Sequence, residues 1–109
     1  MNDREVLEDA AKAIGMKVFD RIPGRSGFAH GDSITNRWNP LADDGDALRL
    51  AVRLGIQVEP SPRGCSVMWP CPNGLRVETI LNNTIGADSE TSTRRAIVRA
   101  AAAMAIGDA

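Results

Sequence analysis

Few side chains in this chain could do chemistry, and each can be weighed in turn. His30 is the only histidine. A Ser–His–acid triad, a His–Cys dyad or a His-rich metal site would each have to use it. Ser33 follows it within Gly31-Asp32-Ser33-Ile34. A serine nucleophile there needs a base histidine further along the chain, and none follows, so the segment reads as a polar turn. Cys65 and Cys71 are the two cysteines, with five residues between them. Tetrahedral zinc takes four ligands, and His30 adds only one nitrogen to the two sulfurs, so no metal site is expected. A disulfide across a hairpin is sterically open to these thiols, but without a secretory leader they are expected to be free. Asp43, Asp44 and Asp46 lack the spacing of a calcium loop, and helix capping accounts for them. The sequence therefore predicts no catalytic residue, no metal and no cofactor.

Binding is easier to furnish. Arg25 sits in Gly24-Arg25-Ser26-Gly27, which has the spacing of the GxxG loop of KH domains. That loop joins two helices, whereas the flanking residues here read as strands, so a hairpin turn is expected. Two glycines around an arginine can still cradle a phosphate. Arg49 and Arg53, and Arg95 and Arg99, are spaced four apart, as on one helix face. They form either basic stripes that grip phosphates or a solvated face. Asp46 with Arg49, and Glu90 with Arg94, are spaced for intrahelical ion pairs of about 0.2–0.5 kcal/mol. Trp38, beside Arg37, either pins the start of the next helix by packing or offers a platform to a ligand or partner. Trp69 alternates with core-like residues and is expected in the core. The candidate binding residues are thus Trp38, Arg37, Arg25, Arg49 and Arg53.

Three helices are predicted to position them. The first runs from about Asp3 to Ile14, capped by Asn2 with Glu5 reaching back, and carries Leu7, Ala10, Ala11 and Ile14 on one stripe. The second is capped by Asp43 or Asp44 and ends at Gly55. Ala47, Leu48, Ala51 and Val52 lie on one side of it, with Leu50 and Leu54 widening the stripe. On this reading Leu48 is buried, and Leu48→Ala should cost about 2–5 kcal/mol. The third begins near Ser89 or Thr91, buries Ile97, Ala100, Ala101 and Met104, and stops at Gly107.

Strands fill the intervals. Cys65, Val67 and Trp69 alternate with Ser66 and Met68, and Leu75 to Leu81 alternates likewise. Pro70-Cys71-Pro72-Asn73-Gly74 between them predicts a turn and an antiparallel hairpin. Ile56–Glu59 reads as a further strand, stopped by Pro60 and Pro62. Met16–Ile22 and Gly27–His30 suggest an N-terminal hairpin around Pro23-Gly24, and 26–39 reads as a long loop. The alternation of charge along the last strand predicts one partly wet sheet face. No repeat or linker divides the chain. The prediction is a single α+β domain, residues 1–109, with a mainly antiparallel sheet of about four to five strands and three helices.

Composition bounds the function. The 109 residues carry a net charge of −1, so no global basic field draws the chain to nucleic acid or anionic lipid. Eleven of the thirteen cationic residues are Arg, a type suited to carboxylates and phosphates but also common in GC-rich genomes. No stretch approaches the roughly 18 apolar residues of a membrane span. The polar, acidic start is unlike a signal peptide, and the expected location is the cytoplasm. A core this small would be extended by self-association.

Trp38-Asn39-Pro40-Leu41, followed by Asp43-Asp44-Gly45-Asp46-Ala47-Leu48-Arg49-Leu50-Ala51, resembles the phage ABA sandwich domain, a family of small bacteriophage proteins. Thr93–Ala102 is similar to that family's C-terminal helix, and Asn2–Gly15 is similar to its opening. The resemblance implies a three-layer α/β/α sandwich of phage or prophage origin, and no particular activity. Three helices are enough to cover both sheet faces. The leading expectation is a non-catalytic binding module for a host protein or small ligand, acting in counter-defence or host regulation. The alternatives are a nucleic-acid or nucleotide binder using Arg25, Arg37, Arg49 and Arg53 with Trp38, an enzyme, and a structural component of the virion.

Overall fold

A computed structural model of the chain describes residues 3–15, 28–30 and 33–105, and for 28–37 it describes the backbone alone. The first helix, α1 (Asp3–Ala13), buries Val6, Leu7, Ala10 and Ala11. Its predicted cap, Asn2, lies outside the described residues, as do Met16–Ile22, Pro23, Gly24 and Gly107. Strands β1 (Phe28–His30) and β2 (Ser33–Trp38) pair antiparallel, with Phe28 opposite Trp38. This corrects one expectation, because the 26–39 stretch contains a strand, β2, which pairs with β1. The Met16–Ile22 half of the predicted hairpin with Gly27–His30 lies outside the described residues. Ile34, Thr35 and Trp38 suit a strand, but Asn36 and Arg37 between them dilute the pattern.

Helix α2 (Asp44–Leu54) starts where predicted. The Asp43 carboxylate accepts the Asp46 N–H at 2.7 Å, and Gly55 closes the helix in the left-handed region at φ 68°. Its buried side is Ala47, Leu50 and Ala51. Leu48 and Val52 are 62% and 72% exposed, which corrects the predicted stripe. Apolar residues occupy more of this helix's circumference than one packed face can cover, so two of them face out.

Strands β3 (Gln57–Ser61), β4 (Gly64–Cys71) and β5 (Gly74–Leu81) form an antiparallel meander in the order β3-β4-β5. The five described strands therefore form two sheets, of two and three strands. The β4–β5 turn closes with Cys71 opposite Gly74. A Cβ at Gly64 would overlap the Ile80 carbonyl oxygen across the ladder, so only glycine lets β4 begin this close to β5. The sheet edges are blunted. Pro60 within β3 offers no N–H, and Glu78 on β5 points inward to an ion pair with Arg99 at 2.8 Å.

A one-turn helix, α3 (Asn82–Ile85), is a fourth helix not anticipated in the sequence. It leads into α4 (Ser89–Ala105), which occupies the middle of the molecule. One side of α4 meets β3, β4 and β5, and its other sides meet α1 and α2. This explains why α4 buries residues nearly all round, including Ala96, Ala100 and Ala101 at 0% exposure. Alanine lets two layers approach one helix closely. Towards α4 the sheet presents Cys65, Val67, Trp69 and Ile80, all buried. The opposite face is open, with Leu75 62% and Val77 58% exposed, in line with the alternation along β5. The result is an α+β sandwich with an antiparallel three-stranded sheet.

Asn82 locks the far end. Its Nδ2 donates to the Pro62 carbonyl (3.0 Å) and Ser89 Oγ (2.9 Å), and its Oδ1 accepts from Ser92 Oγ at 2.6 Å. Ser92 is fully buried, so this bond satisfies a hydroxyl that has left water.

Candidate functional site

A cleft of about 310 Å³ opens where α2, α4 and the β3 edge converge. Val58, Pro60, Ala47 and Ile97 give it an apolar lining, and the exposed Leu48 forms a lip. Asp44, Ser89, Glu90, Thr93 and Arg94 supply the polar part. Val58 and Pro60 reach the cleft because their register partners, Val67 and Cys65, face α4.

Arg94 holds the cleft in shape. Its Nε donates to the Leu41 carbonyl at 2.9 Å, Nη1 to Asp44 at 2.6 Å and Nη2 to Thr91 Oγ1 at 3.1 Å. The side chain is only 17% exposed, so the planar guanidinium joins α4 to the start of α2 under partial shelter. The Glu90–Arg94 pair expected from spacing is replaced by this cross-helix bridge. The hydroxyls are also engaged, with Thr93 Oγ1 donating to the Ser89 carbonyl (2.8 Å) and Ser89 Oγ to the Pro62 carbonyl (3.1 Å). Glu90 is exposed and has no bonding partner among the described residues.

The binding candidates from sequence do not assemble into one platform. Trp38 is 6% exposed and belongs to the core, so packing, not ligand display, is its role. Arg49 lies over Gly45 and pairs with Asp46 at 2.8 Å, with Asp43 at 3.9 Å. Arg53 donates to the Ile14 carbonyl at 3.4 Å. Arg25 and its glycines lie outside the described residues, as do the side chains of Arg37, His30 and Ser33.

The conspicuous Trp-Asn-Pro-Leu motif builds the start of α2. Asn39 Oδ1 accepts the Leu41 N–H at 3.2 Å, and Asp46 Oδ2 accepts the Asn39 N–H at 2.9 Å. Asp46 therefore ties the end of β2 to the first turn of α2 while holding Arg49.

Cys65 and Cys71 are free and stand on one strand, six positions and about 20 Å apart, so the cross-hairpin disulfide is ruled out by register. Burial pushes the Cys65 thiol up, outweighing its hydrogen bond to Thr93. Among the described residues no His/Cys/Asp/Glu cluster could hold a metal ion, and no helix is long and apolar enough to cross a membrane.

No family model matches this chain, and no match is found among curated proteins or solved structures. Sequence reasoning missed the cleft because Val58, Pro60 and Ile97 are ordinary strand and helix residues. The one available signal was the excess of apolar residues around α2.

Proposed function

We propose that this chain is a small accessory protein of a phage or prophage that acts in the bacterial cytoplasm by binding rather than by catalysis. Its binding surface is the α2/α4/β3 cleft, and its partner is a host protein. The observation that carries this reading is the exposed Leu48 at the rim of an apolar cleft. Large exposed aliphatic side chains next to a concave apolar lining support a docking site. The bonds already made by Arg49 and Arg53 favour this reading over a phosphate-gripping one.

Native mass spectrometry of the protein purified gently from its bacterial host tests it. A co-purifying host protein that is lost from the Leu48→Asp variant supports the reading. A partner retained by that variant places binding elsewhere and overturns it. Leu48 is exposed, so the variant is expected to keep its fold, as checked by circular dichroism.

A further inference from the structure

We propose that the outer edge of β5 is a self-association surface whose partner is a second copy of this chain. The two β5 strands pair antiparallel about a two-fold axis at Val77 and join the three-stranded sheets edge to edge. This edge lies across the sheet from β3, which borders the cleft, so the inference does not depend on what binds there.

The backbone of β5 is able to extend the ladder. Among the described residues β5 pairs with β4 alone. The Asn82 N–H donates to the Arg63 carbonyl at 2.8 Å, one step beyond the Gly64–Leu81 pair. Hydrogen-bonded and non-hydrogen-bonded pairs alternate along an antiparallel ladder, and the β4–β5 register is unbroken. Ile80, Glu78 and Arg76 therefore direct their backbone groups to β4, and Leu75, Val77 and Thr79 direct theirs to the edge. No proline interrupts these donors. The opposite edge is poorer. Pro60 stands opposite Cys65, whose backbone is turned to β5, so Pro60 falls at an outward position of β3 with no N–H to give.

Charge selects the partner and the register. A two-fold axis at the middle of β5 passes through Arg76, Val77 or Glu78. Through Arg76 it sets arginine opposite arginine, and through Glu78 it sets glutamate opposite glutamate. Through Val77 it sets each Arg76 opposite the other copy's Glu78, with Leu75 opposite Thr79 and Val77 against itself. Opposite charges across a strand pair stabilise it and like charges destabilise it. The Arg76–Glu78 positions also fall at a non-hydrogen-bonded pair, where side chains come closest. Glu78 already holds Arg99 at 2.8 Å, and a carboxylate can accept from a second guanidinium. An inward-pointing charge deters a foreign strand from this edge, whereas a second copy brings the matching arginine. On the open face the same register brings the two Val77 side chains together, each 58% exposed in the single chain.

Analytical ultracentrifugation of the full chain across micromolar concentrations tests this. The wild-type chain should reach twice the mass of one chain. Val77→Pro removes an outward N–H without touching the β4 ladder, and should give monomers that keep their circular-dichroism spectrum. Arg76→Glu, which leaves the Glu78–Arg99 pair in place, and Glu78→Arg each put like charges opposite one another. Each should weaken dimerisation about tenfold or more. Mixed together, the two charge variants set acid opposite base at both places, and dimers should return as heterodimers. A wild-type chain that stays monomeric throughout the range overturns the proposal, as does a dimer that survives Val77→Pro. A dimer lost in Val77→Pro but indifferent to both charge variants overturns the register on which the proposal rests.

Discussion

Leu48 and Leu50 stand two positions apart on α2 and have opposite fates. Leu50 is 1% exposed in the core, while Leu48 lies at the cleft rim. Leu50→Ala should cost about 2–5 kcal/mol, whereas Leu48→Ala should stay within about 0.5 kcal/mol, read by urea denaturation of the two variants. Equal losses would mean that Leu48 is packed. Asn82 predicts a different kind of loss. Asn82→Ala would strip the buried Ser92 hydroxyl of its 2.6 Å partner and leave the Pro62 carbonyl with one side-chain donor, Ser89 Oγ, in place of two. The expected cost is about 2–3 kcal/mol by thermal or chemical melts, more than one exposed hydrogen bond is worth. Nothing in the sequence set Asn82 apart. Its partners are 7, 10 and 20 residues away, so its role exists only once the chain has folded. Trp38 was visible as a large aromatic residue, but local spacing could not decide between its two roles. Its burial depends on elements elsewhere in the chain.

At the scale of elements, what the sequence disclosed was what neighbouring residues control. The Asp43 cap (one of the two predicted), the Gly55 stop and the Pro72-Asn73 turn are all local, and all stand where patterning put them. The faces of α2 were misjudged because helical spacing gives a stripe but not the neighbour that covers it. At α4, Thr91 makes a consequence measurable. Its hydroxyl and N–H hold the Asp88 carboxyl below the usual carboxylate range. A carboxyl depressed in the folded state adds stability above its unfolded pKa and loses it as pH falls through the lower folded value. The α4 cap should therefore persist through the pH at which free aspartate protonates and weaken only below it. NMR titration of the Asp88 carboxyl checks this, with Thr91→Val expected to move the midpoint up. A midpoint unchanged in Thr91→Val would remove the threonine hydroxyl from the account.

At the scale of the molecule, the two thiols report on different depths. Cys65 is buried under α4 with its thiol pushed towards the protonated form, while Cys71 sits half-buried at the β4–β5 turn. A thiol reagent at neutral pH should label Cys71 in the native protein and reach Cys65 only when the sandwich opens. The Cys65 labelling rate across a urea series would then follow unfolding, and rapid native labelling of Cys65 would contradict the packing of α4 on β4. The one-sided cover of the sheet, with Val77 and Leu75 in water, was signalled by alternation along β5. The central position of α4 was signalled only by its small side chains, which do not say what approaches.

That central position also bears on the order in which the chain is made. α1 is synthesised early and finds its main packing surface on α4, as the Asp3–Arg95 ion pair across 92 residues illustrates. The three-stranded sheet waits for the same helix. Until α4 emerges, Ala10, Ala11, Val67 and Trp69 lack the helix that they pack against in the folded chain. Closing so long a loop slows folding, and the growing chain carries exposed apolar surface for most of its synthesis.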